Sequence, residues 1–206
     1  MPMSHVEQQD LPLFPLRTVL YPGGELSLRI FEPRYVELVT QSIRNGQGFG
    51  ICPILNGNEA GTPATTYDVG TLATITDWDQ GKDGLLSIVV EGSRRFHLHG
   101  RRINERGLQV GSVSWFEASG EFTLDSRHQY LSELLHGLSE LVPIAPTQSG
   151  NQLSAAESLV YRLTERLPLA LEQQTALLKL PSLAAQLEFC EERVAHLIKQ
   201  SNTKLH

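Results

Sequence analysis

The chain has 206 residues, 40% hydrophobic and 19% charged, with a net charge of −6. That is the composition of a globular protein with enough chain for one large or two small domains. The acid excess is even, 10 Lys/Arg against 13 Asp/Glu up to residue 118 and 7 against 10 afterwards, which gives poor footing for nonspecific attachment to nucleic acid or anionic lipid.

Up to about residue 118 the pattern is mostly that of strands. Leu11–Leu16 is apolar with two prolines, which suits an edge or opening strand. In Glu25–Ile30, Leu26, Leu28 and Ile30 alternate with Glu25, Ser27 and Arg29, as in a half-buried strand. Pro33 can open a helix, where its missing N–H costs nothing, with Tyr35, Val36, Val39 and Ile43 on its apolar face and Asn45-Gly46 at its end. Further strands are expected at Gly48–Ile54, Gly70–Asp77, Leu85–Gly92, Arg94–Asn104 and Leu108–Phe116, with Leu55–Asp68 as a long exposed loop.

After Gly120 the period changes to that of helices. Leu131, Leu134, Leu135, Leu138 and Leu141 share one helical face, and Pro143 stops the run. A turn-rich loop follows through Ser149-Gly150-Asn151. Ser154 and Glu157 form a capping-box pair ahead of Leu159, Val160, Leu163 and Leu167. A short helix is expected over Leu171–Leu180, and a last one carries Leu183, Leu187, Cys190, Val194 and Leu197. The expected fold class is α+β, with a β-rich barrel-like domain over 1–118 and a helical bundle over 119–206.

Three blocks stand out: Leu11-Pro12-Leu13-Phe14-Pro15-Leu16, Val19-Leu20-Tyr21-Pro22-Gly23-Gly24 and Leu28-Arg29-Ile30-Phe31-Glu32-Pro33-Arg34-Tyr35. With Gly48-Phe49-Gly50-Ile51, Val69-Gly70-Thr71-Leu72-Ala73, Glu91-Gly92-Ser93-Arg94-Arg95-Phe96 and the helical Tyr161–Leu169 they follow one order over nearly the whole chain. That order resembles the N-terminal domain of Lon-type proteases. The resemblance implies a PUA-like pseudo-barrel followed by a helical bundle. In full-length Lon this region helps capture substrate proteins for an attached ATPase and serine–lysine protease; other family members use it as a scaffold for protein contacts. The residues also have a local reading. Pro22-Gly23-Gly24 supplies a tight turn, and Phe31-Glu32-Pro33-Arg34-Tyr35 is a strand-to-helix corner. Arg34 is the member of that corner expected to be exposed.

No GxxxxGK[ST] loop or GxSxG elbow occurs, so neither the phosphate cradle of an ATPase nor the nucleophile turn of a hydrolase is expected. Gly81-Lys82-Asp83-Gly84 is similar to the surroundings of the Lon catalytic lysine, but the strand-like Leu85-Leu86-Ser87-Ile88 follows it, and a hairpin turn explains it better. His97 and His99 share a strand face without an evident third ligand, so no metal and no cofactor is expected. Two cysteines supply neither a disulfide framework nor a structural zinc site. No apolar run reaches the roughly 18 residues of a membrane span, and the first ten residues have no secretory pattern, so the cytoplasm is the expected compartment.

Two binding readings remain. Phe14, Tyr21, Phe31, Phe49, Tyr67 and Phe96 could line an aromatic groove for unfolded polypeptide, although core packing is the plainer role for most of them. Alternatively, Arg94, Arg95, Arg101, Arg102 and Arg106 form a basic cluster that could hold RNA, since PUA-like folds also occur in RNA-binding proteins. The acidic total and the interspersed Asn104 and Glu105 speak against RNA. The leading expectation is a stand-alone, non-catalytic module that binds unfolded polypeptide or a partner protein, in a cleft between barrel and bundle.

Overall fold

The computed structural model describes residues 8–81, 84–117, 122–141 and 153–204. The chain divides into two compact units, one from the N-terminus to Phe116 and one beginning at Glu117.

The first unit contains β1 (Gln9–Leu16), β2 (Glu25–Ile30), α1 (Pro33–Asn45), β3 (Phe49–Asn56), β4 (Thr65–Thr66), β5 (Val69–Gln80), β6 (Leu86–Ile103) and β7 (Gln109–Trp115). Five strands close on themselves in the order β1-β7-β6-β5-β3 and back to β1, while β2 pairs with β6 and β4 with β3 outside that ring. The neighbours of β1 differ along its length: Gln9–Pro12 run antiparallel to β7, and Leu13–Leu16 run parallel to β3. Each half therefore has one paired side in these registers, which lets a strand with two prolines serve inside a closed barrel. Of the two roles its prolines suit, β1 is the opening strand and not a free edge.

One 18-residue strand, β6, replaces the two shorter strands expected from the sequence. Its partner on one side changes from β2 (up to Glu91) to β7 (from Phe96). In the gap, Gly23 N–H donates to Gly92 O at 2.7 Å and Gly92 N–H donates to Gly24 O at 2.9 Å. A Cβ on Gly92 would lie 2.3 Å from the Tyr21 carbonyl oxygen, so only glycine lets the Pro22-Gly23-Gly24 turn dock there. Gly92 marks a close approach of backbones, not the strand break that it resembles in sequence.

The barrel interior is filled from both ends of the unit. Phe14, Leu20, Ile30, Tyr35, Val39, Phe49, Ile88 and Val90 belong to one apolar cluster, and Leu11, Leu13, Cys52, Phe96 and Val113 to another. Helix α1 covers the first cluster with Tyr35, Leu38, Val39 and Ser42, at i, i+3, i+4 and i+7. Val36 and Ile43, expected on this face, are exposed instead. Both lie roughly 80–100° around the helix from Tyr35, at the margin of the stripe. The Gly81–Gly84 hairpin turn is closed by Gly84 N–H donating to Gly81 O and Gly81 N–H donating to Leu85 O; its Lys82 and Asp83 lie outside the described residues.

The second unit contains a 3-10 turn at Ser126–His128 followed by α2 (Gln129–Leu141), α3 (Ala155–Arg166), α4 (Leu171–Lys179) and α5 (Leu183–Lys204). Ser154 Oγ accepts from Glu157 N–H while the Glu157 carboxylate accepts from Ser154 N–H, which is the expected capping box. Leu159, Val160, Leu163, Leu183, Leu187, Cys190 and Val194 are buried. Thr164 Oγ1 lies 3.5 Å from Cys190 Sγ, so that thiol is a packed part of the α3–α5 contact. The loop expected through Ser149-Gly150-Asn151 lies outside the described residues. Among the described residues no helix is long and apolar enough to cross a membrane.

Candidate functional site

The corner between β2 and α1 organises a groove of the first unit. β2 alternates as expected: Leu26, Leu28 and Ile30 pack toward the core, while Ser27 and Arg29 are exposed. Phe31 continues the outward parity of Ser27 and Arg29 and is 62% exposed. Glu32 N-caps the corner, and Pro33 takes the first turn of α1. The result is a groove of about 160 Å³ lined by Ser27 through Glu32, by Phe14 and Leu16 of β1, by Tyr35 of α1, and by Glu59. Phe14 stacks on Tyr35 with ring centroids 4.1 Å apart, which makes one wall a rigid aromatic surface.

The charges at the rim already have partners. Glu32 Oε2 accepts from Arg34 at 3.0 Å and from Gly61 N–H at 3.4 Å, and Glu59 Oε1 accepts from Arg17 N–H at 2.6 Å. These contacts tie the 57–64 loop to the corner. Burial raises the pKa of the Tyr35 hydroxyl, an effect eased by the nearby Arg34 guanidinium. The groove offers an apolar wall, one exposed aromatic ring and a strand backbone. That inventory suits holding an extended chain, and the lining brings no histidine to Ser27 that would activate its hydroxyl.

The six aromatics singled out in the sequence do not form one surface. Phe14 and Phe31 meet in the groove. Tyr21, Phe49 and Phe96 are core residues at 1%, 0% and 0% exposure, because each lies where a strand or turn faces the barrel interior. Tyr67 is half-buried between β4 and β5, away from the groove lining. Arg34 departs from its expected exposure. Its side chain is 9% exposed, paired with Glu32, donating to Gly107 O at 3.3 Å and lying 4.6 Å above the Tyr35 ring. It bolts the start of α1 to the β6–β7 turn. Sequence reasoning missed Trp78, which is 55% exposed on β5 and borders a second hollow of about 240 Å³ with Ser27, Leu28 and Arg29. An exposed tryptophan at Asp77-Trp78-Asp79 was a usable signal, since two flanking acids mark a solvated strand end.

The arginine cluster is engaged locally. Arg102 makes a two-point contact with Asp10 at 2.8 and 2.9 Å, Arg106 pairs with Glu37, and Arg101 donates to Thr66 Oγ1 at 2.8 Å. Arg94 lies over Trp115, and Arg95, only 5% exposed, lies over Phe116. This arrangement spends cationic groups on the fold and breaks up a continuous basic face. His99 Nε2 is 2.7 Å from Ser114 Oγ, and His97 stacks on Phe116 at 3.7 Å. Among the described residues no group of three potential metal ligands comes together.

A closed barrel with an outlying strand and one covering helix, followed by a helical unit, defines a PUA-like α+β protein. The chain belongs to the family of the ATP-dependent protease La (LON) substrate-binding domain, whose pattern matches residues 10–196. It is 37% identical to a Lon N-terminal domain protein from Xanthomonas campestris, with a TM-score of 0.73 over 87% of this chain and 95% of that one. The N-terminal domain of a Mycobacterium avium complex Lon protease shares the fold at 18% identity and a TM-score of 0.63, covering 91% of this chain and 98% of that one. Among curated proteins, Lon protease 2 of Myxococcus xanthus is 25% identical over 94% of this chain, and the Buchnera aphidicola Lon protease 20% over 96%. The chain spans 25% and 28% of the lengths of those two relatives.

Proposed function

We propose that the first unit recognises apolar segments of unfolded polypeptide in the groove beside β2, with Phe31 as the principal contact. The observation that carries this reading is a 62%-exposed phenylalanine at an apolar groove in a family defined by substrate binding. A large aromatic ring left in water serves no packing role, and covering it contributes about 1.5–3 kcal/mol. In this reading the chain supplies recognition, and any unfolding or cleavage of the bound polypeptide is done elsewhere.

The test is fluorescence anisotropy with labelled, reduced and carboxymethylated lactalbumin as the unfolded polypeptide. Wild type is expected to bind saturably and to keep binding at high salt, as apolar recognition requires. Phe31→Ser should weaken binding roughly tenfold or more, yet change stability by only about 0.5 kcal/mol or less, because the ring is exposed. Absence of wild-type binding, or equal affinity of Phe31→Ser, would contradict the proposal.

A further inference from the structure

We infer that polypeptide capture works by strand addition: an extended segment of a client chain pairs through its backbone with the outward edge of β2. This rests on the polypeptide-binding reading above and specifies its mode. Among the described residues β2 pairs only with β6, outside the closed ring of the barrel. The phase of that pairing is set by Gly92 N–H donating to Gly24 O at 2.9 Å. No register shift occurs from Glu25↔Glu91 to Ile30↔Leu86. In an antiparallel ladder, residues that bond to the partner alternate with residues whose N–H and C=O turn away. Leu26, Leu28 and Ile30 are thus the bonded set, and the backbone groups of Glu25 and Ser27 point away from β6.

Ser27, Leu28, Arg29 and Ile30 of β2 line the groove, with Phe31 and Glu32 of the corner that follows. An occupant that pairs with β2 must offer donors and acceptors at a two-residue repeat, which an extended polypeptide does. A helix does not, since its backbone groups bond internally. Alternate apolar side chains of the client then meet Phe14, Leu16 and Tyr35, while backbone bonds make capture tolerant of sequence.

The test uses Ser27→Pro and Ser27→Ala in the whole chain with labelled carboxymethylated lactalbumin. Proline removes the outward N–H and leaves the bonds to β6 in place. Ser27→Pro is expected to weaken binding roughly tenfold or more, and Ser27→Ala less than about twofold. A second arm needs no variant. An unlabelled alternating Leu-Thr hexapeptide should displace lactalbumin from wild type, and the same peptide N-methylated at every second residue should not. Wild-type binding that is indifferent both to Ser27→Pro and to N-methylation overturns strand addition and leaves the groove reading standing. If wild type binds no lactalbumin, the groove reading itself falls, and strand addition with it.

Discussion

Phe31 and Arg34 stand three residues apart on one corner, and the fold treats them in opposite ways. Phe31 inherits the outward parity of Ser27 and Arg29, so the strand period alone places its ring in water. Arg34 has a partner on each side, Glu32 and the Gly107 carbonyl, and a ring beneath it. Residue type suggested the reverse, since arginine is ordinarily the exposed member and phenylalanine the buried one. The thiols follow the ordinary rule. Burial pushes Cys52 up to about 12 and Cys190 up to about 11, from an ordinary value of 9.0. Below pH 9 both folded and unfolded chains keep these protons. Above it the unfolded chain ionises first, so stability must fall as pH rises toward the folded values. The urea midpoint is therefore expected to drop between about pH 9 and about pH 11, on the order of a few kcal/mol in stability. A flat midpoint over that range would show that the thiols are not buried as described.

At the scale of elements, periodicity carried most of the fold. The alternation in Glu25–Ile30, the Pro33 start of α1, the capping box at Ser154 and the stripe of α5 each set a local structure that tertiary packing then kept. What the sequence did not disclose depends on partners distant along the chain. Gly92-Ser93 resembles a break because nothing nearby shows that the Pro22-Gly23-Gly24 turn lies against it. The two prolines of β1 suit a free edge as well as an opening strand, because the change of neighbour at mid-strand is a property of the closed ring. Gly92→Ala tests this account of β6. Its methyl group would meet backbone at 2.3 Å rather than a movable side chain, so a loss of roughly 1–3 kcal/mol is expected in urea unfolding. An alanine variant as stable as wild type would mean that turn and strand do not approach as described.

For the whole molecule, the order of motifs was sufficient to reach the family, because it extends over both units and does not depend on any single contact. The site was less legible. Of the six aromatics singled out in the sequence, only Phe14 and Phe31 line the groove, and which ones do so is decided by barrel closure and by the docking of α1. The arginines read as a basic cluster in sequence, yet Asp10 and Glu37, distant along the chain, meet two of them. Arginines engaged within the fold and an exposed Phe31 are the features on which the proposed polypeptide reading rests. Hydrogen exchange of the entire chain, with and without saturating carboxymethylated lactalbumin, tests this most directly. The account predicts slowed exchange concentrated in residues 25–32. No change there, with protection confined to the helical unit, would contradict it.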